Sequence, residues 1–477
     1  MAERGLRPIV IVATALGFVL VQLDVSIVNV ALATIAKDLR SDFASLQWIV
    51  DAYAVTFAAF LLSAGSLADR IGARRTFVVG FVLFVLSSIA CGFAPSAGVL
   101  IAARTLQGLG AALLVPCSLA LLNAAAAGNA VARARAVGLW TASGSIALAA
   151  GPIVGGALVG TLGWRSIFFV NVPLGGLGVW LVLANLRETP ASGGTFDVPG
   201  QLTAVGALAS LTGAVILAGT LSWTAPLVLA LLAFALACGA AFVVVEKRRA
   251  RPMLPLELFG RRPFSAAAIV GLLVNFTLYG AIFMLGLYFQ HQERYTPLQT
   301  GLAFLPFCLA LGIANVAAGR LTAARGARLP MTIGLLVAGI GYAALAPAGV
   351  GSPYPLLLFG LILAPLGIGF AVPAMTTAML ASVERERSGI ASGVLNTVRQ
   401  AGGALGVAVL GSLSSAYGIA GLRGAFIVSA ALMAGGALVA LILLRAPRRP
   451  SDNGATDAQN GREARTLARS DALSAPR

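Results

Sequence analysis

Four ionisable residues lie inside stretches of the sequence that are otherwise apolar, namely Asp24, Asp51, Arg104 and Arg399. Asp24 is near the middle of an apolar run from residue 9 to residue 36, at a depth of roughly 18 Å if the run is a helix. A carboxylate cannot extend its short side chain to water from that depth, so it needs a partner or becomes neutral by binding a proton. Asp24 is therefore predicted to carry protons, and the alternative is a static ion pair between helices.

Asp51 and Arg104 complete the predicted proton-coupling set. Asp51 lies one turn into the second apolar run, and Arg104 lies at a similar depth in the fourth. Asp51 is predicted to pair with Arg104, to relay protons or to attract a cationic substrate, and the alternative is that it faces an outer vestibule. An arginine at the centre of a bilayer costs roughly 2.5–3.5 kcal/mol, so Arg104 either faces the bundle interior or extends outward to water.

Polar residues within the apolar runs are candidates for binding a substrate. They are Gln22, Ser26, Asn29, Asn275, Tyr279, Asn396, Arg399 and Gln400. The first three share one helical face, as do Asn396, Arg399 and Gln400, because their spacing follows the helical period. Arg399 is the buried cation of the second half and could bind an acidic substrate. For each uncharged residue, the alternative is a hydrogen bond between helices.

The composition indicates a membrane protein. The 477 residues are 58% hydrophobic and 10% charged, with a mean hydropathy of +0.92, whereas soluble domains carry about 25% charged residues. Fourteen apolar segments are long enough to cross a bilayer, which takes about 20 residues. They cover approximately residues 9–36, 48–68, 76–94, 98–122, 136–160, 166–186, 198–220, 224–245, 264–290, 300–319, 330–348, 354–380, 388–413 and 424–445. The predicted fold class is an all-α polytopic membrane protein, because the strand alternation of a barrel is absent.

A count of twelve spans is the alternative, and it would make residues 188–263 one cytoplasmic loop. Two apolar runs of about 20 residues lie in that region, so two further spans fit better. Most Lys and Arg residues fall in alternate loops and in both termini, which are therefore predicted to be cytoplasmic. The net charge of +16 thus reflects topology, and no nucleic-acid role is expected. Residues 446–477 are polar and are expected to be disordered.

A repeat relates the two ends of the chain. The segments from Gly65 to Arg74 and from Gly319 to Arg328 share Gly, Leu, Gly, Ala and Arg in register, each between the second and third spans of a set of six. Two related six-helix bundles are typical of transporters whose substrate site lies between them. We expect an N-terminal bundle at 1–187, two additional helices and a basic cytoplasmic loop at 188–263, a C-terminal bundle at 264–445 and a tail at 446–477.

Three motifs resemble those of the major facilitator superfamily. The loop GSLADRIGARR resembles the signature loop of that superfamily, which implies conformational gating by Gly65, Asp69, Arg70, Gly72 and Arg74. Physically, the glycines would allow tight helix ends and close approach, and Asp69 could pair with an arginine or a helix N-terminus. The second copy has Ala323 in place of Asp69, so the acidic group is expected in one half only.

The other two motifs concern proton transfer and export. The pattern R-x-x-Q-G-x-G-A-A that begins at Arg104 resembles the superfamily's proton-transfer motif and favours an arginine that faces the bundle. The run ALAAGPIVGG resembles the motif of exporters that work as antiporters, and it adds Gly151, Pro152, Gly155 and Gly156 to the gating residues. Ala147 stands where the family has its first glycine, and the small residues at 147, 151 and 155 form one stripe that permits close helix contact.

Over residues 8–445 the chain resembles the fourteen-span drug:proton antiporter family, and the segments VGLLVNFTLYG from Val270 and FMLGLYFQH from Phe283 look especially like methylenomycin A resistance proteins. Further parallels are LDVSIVNVAL from Leu23, QWIVDAY from Gln47, WRSIFFVNVP from Trp164 and NTVRQAGG from Asn396. The resemblance implies an antibiotic exporter in the bacterial cytoplasmic membrane that is driven by a proton gradient without a cofactor and functions as a monomer. The alternatives are an importer of a small metabolite on the same fold and a non-transporting membrane sensor.

No enzymatic or metal chemistry is expected from the sequence. The ATP-binding pattern G-x-x-x-x-G-K-[ST] does not occur, and no catalytic Ser/His/Asp set is recognisable. The four cysteines have no paired spacing, and the single histidine, His291, has no cysteine or histidine neighbour with which to bind a metal. The partners expected are therefore a small-molecule substrate, protons and the lipid bilayer.

Overall fold

Long apolar runs become helices here because a helix satisfies every backbone N–H and C=O within its own segment. The computed structural model of the chain describes residues 8–126, 130–189, 197–249, 252–384 and 387–444, and every α-helix below lies in those ranges. The helices are α1 (Pro8–Asp38), α2 (Phe43–Ile71), α3 (Ala73–Gly92), α4 (Ala97–Ala125), α5 (Ala130–Leu162), α6 (Ser166–Phe169), α7 (Asn171–Asn185), α8 (Val198–Ala218), α9 (Pro226–Arg248), α10 (Arg262–Leu287), α11 (Pro297–Ala303), α12 (Leu305–Arg325), α13 (Arg328–Leu345), α14 (Tyr354–Ala381) and α15 (Ser388–Leu443). The predicted disordered tail and the basic residues Arg4 and Arg7 lie outside the described ranges.

The described helices account for the fourteen predicted spans. Thirteen helical segments are long and apolar enough to cross a membrane, with α6 and α7 forming one of them and α11 and α12 another. The last segment, α15, has 56 residues, more than twice the length that one crossing requires. Gly418, with φ 54° and ψ −128°, interrupts its helical geometry. Counted as two crossings, α15 brings the total to fourteen, as the hydropathy pattern predicts.

The two copies of the repeated segment adopt the same local structure. In each copy a helix ends at a glycine with positive φ, which is 98° at Gly72 and 76° at Gly326. Residues other than glycine rarely adopt such backbone angles. The arginine two residues later reaches a carbonyl near the end of another helix in its own half. Arg74 Nη2 donates to Leu183 O at 2.8 Å, and Arg328 Nη2 donates to Leu441 O at 2.9 Å. A cation at the C-terminal end of a helix is electrostatically favourable.

The end of the molecule at which Arg74 and Arg328 lie also contains most of the described arginines. It is called the arginine-rich side below. Examples in the described residues are Arg70, Arg74, Arg75, Arg248, Arg249, Arg261, Arg262, Arg325 and Arg328. Residues 252–261, between α9 and α10, are folded against the bundle on this side. They form a 3-10 helix from Leu256 to Gly260 with Leu258 buried, and the N–H of Leu254 donates to Glu246 Oε2 at 2.9 Å.

The additional helices lie at one edge of the bundle, and α8 touches both halves. Gln201 of α8 donates to Ala59 O of α2 at 3.0 Å and also contacts Ser63. Near the other end of α8, Ser412 Oγ of α15 donates to Val215 O at 3.1 Å. Helix α9 packs mainly against α8 and exposes most of its apolar surface. The boundaries expected at 187/188 and 263/264 stay predictions, because the described helices form one compact unit.

Candidate proton and substrate site

Asp24 and Arg104 form a buried ion pair in the first half of the chain. Arg104 Nη1 lies 2.5 Å from Asp24 Oδ2, and the two residues are 1% and 0% exposed. The other carboxylate oxygen, Asp24 Oδ1, accepts hydrogen bonds from Gln107 Nε2 at 2.8 Å and from Asn171 Nδ2 at 3.1 Å. Helices α1, α4 and α7 thus meet at one carboxylate, and its negative charge is compensated.

Arg104 is held by further contacts that fix its orientation toward the bundle interior. Its Nε donates to Ile49 O at 3.1 Å, and its Nη1 also donates to Gln107 Oε1 at 2.7 Å. Arg104 and Gln107 can act together because residues three apart lie on the same helix face. The guanidinium lies 4.3 Å from the centroid of the Tyr53 ring, a cation–π distance. Breaking a buried pair by removing one partner typically costs 3–5 kcal/mol.

Asp51 does not pair with Arg104, which was one of the three roles that the sequence left open for it. Asp51 is 0% exposed, which also contradicts an open outer vestibule at this residue, and neither carboxylate oxygen has a hydrogen-bond partner in the described structure. The reason lies in the helical period, because Asp51 is four residues after Gln47 and shares its face. Gln47 Nε2 donates to Val407 O and Ala408 O of α15 at 3.1 and 3.0 Å. Asp51 is therefore directed away from the α4 arginine.

A small central cavity lies between the two halves. It is lined by Val25, Asn29, Val50, Tyr53, Ala54, Arg104, Tyr279, Gln400, Gly403 and Val407. Three predicted substrate residues, Asn29, Tyr279 and Gln400, meet there. The cavity measures about 20 Å³, room for about one water molecule, so a larger substrate requires a more open arrangement of the helices.

Arg399 lies beside this cavity on α15. Its Nε donates to Asn275 Oδ1 at 3.2 Å, and its side-chain stem passes close to Gly271 of α10. Asn275 is buried, whereas Arg399 is partly exposed. Among the described residues, no carboxylate lies within ion-pairing distance of Arg399. The positive charge of Arg399 therefore has no described counter-charge, whereas Asp24 balances the charge of Arg104.

Other predicted substrate residues are used in helix packing. Ser26 is buried against Gly151 of α5 and donates to carbonyls of its own helix, with 3.1 Å to Leu23 O. Asn396 donates to Ser392 O of its own helix at 3.1 Å. Gln22 is partly buried and does not line the described cavity. The helical period placed Ser26 and Asn396 on the predicted faces, but close packing and the availability of local carbonyls determine their contacts.

The glycines of α5 bring helices together as their spacing predicts. A Cβ atom at Gly155 would lie 2.8 Å from Ile27 Cγ1 of α1, and one at Gly156 would lie 2.6 Å from Pro297 O of α11. The carbonyl of Pro152 similarly faces Gly301 of α11. Helix α5 thus contacts both α1 in its own half and α11 in the other half, so its surface is part of the interface that must rearrange when the halves move.

Two findings change the interpretation of the loop from Gly65 to Arg75. A Cβ atom at Gly65 would meet nothing within 4 Å, so the close approach predicted at Gly65 is absent in this arrangement. Glu188, which the sequence did not single out, accepts hydrogen bonds from the N–H groups of Arg74 at 2.9 Å and Arg75 at 3.1 Å. An acidic side chain at a helix N-terminus complements the helix dipole, and here it fixes the start of α3. Asp69 and Arg70 lie in the last turn of α2.

On the arginine-rich side, exposed ion pairs also connect the start of the second half with the start of α15. Arg261 Nη2 lies 2.9 Å from Glu384 Oε1, and Arg387 Nη1 lies 2.5 Å from Glu257 Oε1. The hydrogen bond from Arg261 holds the pKa of Glu384 below its usual value. Exposed pairs contribute little to stability, so these contacts can break and re-form during a conformational cycle.

The halves are in contact on the side opposite the arginine-rich loops. Gln290 Nε2, near the end of α10, donates to Val30 O of α1 at 2.9 Å. The bonds from Gln47 of α2 to the carbonyls of α15 lie toward the same side. Together with the contact of Gly156 with Pro297, they join the two halves on this side, next to a cavity of about 410 Å³ that residues of both halves line.

Three residues of the buried network were not assigned roles from the sequence. Gln107 and Asn171 bond to Asp24, and Ser88 Oγ accepts from both of them, at 2.8 and 3.2 Å. Gln107 and Asn171 stand inside the motifs that carry the family resemblance, so a signal was present for them. Ser88 is one of two adjacent serines in an apolar helix and had no distinguishing signal.

Comparison with known proteins places this arrangement in context. Residues 14–407 match the family model described as Major Facilitator Superfamily. The methylenomycin A resistance protein of Streptomyces coelicolor is 40% identical over 84% of this chain and 84% of its own. The multidrug resistance protein Stp of Mycobacterium tuberculosis is 40% identical over 85% of this chain and 76% of its own. The crystal structure of the human organic anion transporter TETRAN matches with a TM-score of 0.64 over 91% of this chain and 100% of that one, at 16% identity.

Proposed function

Because the chain belongs to the Major Facilitator Superfamily, we propose that it is a proton-coupled exporter of an antibiotic or another small lipophilic compound. Relatives named for methylenomycin A resistance and multidrug resistance support the substrate class. The observation that carries the proposal is the buried pair of Asp24 and Arg104. A carboxylate with a single buried counter-charge can exchange that partner for a proton when the surrounding helices move.

The proton step follows from the contacts of Asp24. In the described arrangement Asp24 is ion-paired with Arg104 and accepts two further hydrogen bonds. When the opposite side opens, Arg104 moves away, and a proton from that side neutralises the carboxylate. Closure then restores the ion pair and releases the proton on the arginine-rich side. Asp51, which is buried without a partner, is the second group that can hold a proton.

The positive-inside rule gives the direction of this cycle. Loops rich in Lys and Arg stay in the cytoplasm, so the arginine-rich side is cytoplasmic, and both termini lie there in a bacterial cytoplasmic membrane. A proton that moves inward through the membrane potential supplies about 2.3 kcal/mol per 100 mV. The gradient is the energy source, no cofactor or catalytic step is required, and one chain contains both bundles and can work as a monomer.

Gating is assigned to two contact regions. The loop from Gly65 to Arg75, including Asp69 and Arg70, guards the cytoplasmic side, and Glu188 holds its second helix in place. The glycine stripe of α5, including Gly151 and Gly155, slides against α1 and α11 as the halves rock. The Gly151-Pro152 motif favours export over import, because the resemblance associates that motif with antiporters that work as exporters.

Flux measurements in inside-out vesicles test the proposal. A susceptibility panel in a pump-deleted bacterial host first identifies an exported compound. Vesicles that contain the wild-type protein should then accumulate that compound when their lumen is acidified, and vesicles with Asp24→Asn should not. Asp42→Asn is the matched control, because Asp42 is an exposed cap at the start of α2. Undiminished accumulation with Asp24→Asn would exclude the carrier role, and loss of preloaded compound on acidification would indicate an importer.

A further inference from the structure

The centre of the protein carries a positive charge that no described residue balances. The buried charges of Asp24 and Arg104 cancel, since the two groups are 2.5 Å apart. Within the described ranges Arg399 donates its side-chain hydrogen bond to the neutral Asn275 alone. A cation at this depth of a membrane is costly, and a transporter retains such a group at a substrate site when a ligand of opposite charge compensates it. A bound anion would provide that compensation.

Asp51 does not provide the compensating charge. Both of its oxygens are buried without a hydrogen-bond partner, and Arg399 does not lie within 4.0 Å of it. An ionised carboxylate in such a setting would be desolvated without compensation. The neutral, protonated group therefore suits the described arrangement, and the net charge around the central cavity is positive.

The groups around Arg399 suit a bound carboxylate. Gln400 follows Arg399 in the sequence and lines the central cavity together with Tyr279 and Asn29. The Arg399 bond to Asn275 uses Nε, which leaves both terminal nitrogens of the guanidinium to donate to the two oxygens of a carboxylate. Apart from Tyr53 and Arg104, the remaining lining, which includes Val25, Val50 and Val407, is apolar and would contact a lipophilic body.

We propose that the exported compound is a small lipophilic monoanion, such as a carboxylic acid, whose anionic group binds Arg399. This inference rests on the proposed function and names the substrate class of the same site. A cationic compound would meet Arg104 in the lining of the cavity and Arg399 beside it, so binding would be disfavoured. Since the described cavity holds about one water molecule, the anion binds when the helices are further apart.

The charge of the cargo determines how the membrane potential drives transport. One anion that leaves in exchange for one proton that enters moves two elementary charges in the same electrical direction. A cation exchanged for a proton moves none, and a neutral compound moves one. A potential that concentrates a monovalent ion about tenfold should therefore raise the limiting gradient of the anion about a hundredfold. The same potential should leave the limiting gradient of a cation unchanged.

A charge series of equal shape tests binding. The probes are 2-naphthoate, 2-naphthamide and 2-naphthylmethylammonium, measured by calorimetry on the purified full chain. We expect wild type to bind naphthoate at least about tenfold more tightly than the amide, and the ammonium least tightly. Arg399→Gln should remove this preference, Arg399→Lys should keep part of it, and Arg423→Gln should change nothing. Arg423 is a matched control because it is an exposed arginine that donates to Ala348 O at a helix end.

Flux into proteoliposomes separates failure of this inference from failure of the proposed function. Naphthoate flux should rise with a potassium potential set by valinomycin as well as with a pH gradient. Proton-driven flux of the ammonium in preference to naphthoate would overturn the anion inference and leave proton-coupled export standing. Absence of proton-driven flux for any compound would overturn both. Equal binding of the three probes by wild type, or no binding of naphthoate, would also overturn the anion inference, and these measurements require no variant.

Discussion

Replacing Asp24 with asparagine should destabilise the protein, and replacing Arg104 as well should restore most of the loss. Asp24→Asn leaves Arg104, which is 1% exposed, as an uncompensated buried cation. Removal of one partner from a buried pair costs about 3–5 kcal/mol. Arg104 keeps its bonds to Ile49 O and Gln107 Oε1, so we expect about 3 kcal/mol, the lower end of that range. Arg104→Gln, which strands the carboxylate instead, should cost a similar amount.

The double variant Asp24→Asn/Arg104→Gln places two neutral amides at positions that already face Gln107 and Asn171. No buried charge then remains unpaired, and amides can satisfy one another's donors and acceptors. We expect the double variant to lose less free energy than either single variant, with a coupling energy of about 3 kcal/mol or more, although contacting pairs usually couple by 0.5–3 kcal/mol. Proton-driven transport should be absent in every variant that lacks the carboxylate.

The assay is equilibrium unfolding of the purified protein in mixed micelles, followed by tryptophan fluorescence, for wild type, both single variants and the double variant. Asp42→Asn again serves as the exposed control and should stay within the error of wild type, because asparagine caps a helix about as well as aspartate does. Additive losses, with the double variant less stable than each single one, would refute the reasoning. They would mean that the two side chains are stabilised independently of each other.

Three further predictions concern the gating regions. Gly155→Leu should abolish transport, because a Cβ atom there would lie 2.8 Å from Ile27 Cγ1. The control is Gly160→Leu, which should leave flux unchanged because a Cβ atom there meets nothing within 4 Å. Equal losses of flux in the two variants would contradict a specific contact at Gly155. Gly72→Ala should cost about 1–3 kcal/mol of unfolding free energy in the same assay, because φ 98° with ψ 140° is a region nearly confined to glycine and a Cβ atom there would clash with the Glu188 side chain. Glu188→Gln should lower the transport rate without changing substrate affinity, and an altered affinity with a normal rate would refute this positioning role.

The sequence was sufficient for the number and positions of the apolar spans because its signals act locally. Apolar length, loop charge and glycine at helix ends each determine one span or one turn, and the fourteen spans follow from these features. The repeat at Gly72 and Gly326 was visible for the same reason, since both copies require a positive φ. Such features do not depend on which helices become neighbours.

The pairing of buried side chains could not be obtained in this way. Judged by depth in the membrane alone, Asp51 was as good a partner for Arg104 as Asp24 was. Depth does not show how a helix is rotated about its own axis, and that rotation decides which neighbour a side chain faces. The pairing follows from which face of α2 turns toward α15, and that is set by contacts such as Gln47 with Val407 O. Glu188 was missed for a similar reason, since its role depends on a loop that returns to a helix end more than a hundred residues earlier in the chain.

The position of α8 has a consequence for the route by which a lipid-soluble compound reaches the interior. Where the two halves meet along α2 and α15, α8 lies against both helices and bonds to each of them, through Ala59 O and through Ser412 Oγ. We therefore expect α8 to keep hydrocarbon chains out of that junction. The other junction, between α5 and helices α11 and α12, has no additional helix covering it in the described structure. We expect molecules dissolved in the inner leaflet to reach the pump from that flank alone, so its uptake from the bilayer is one-sided.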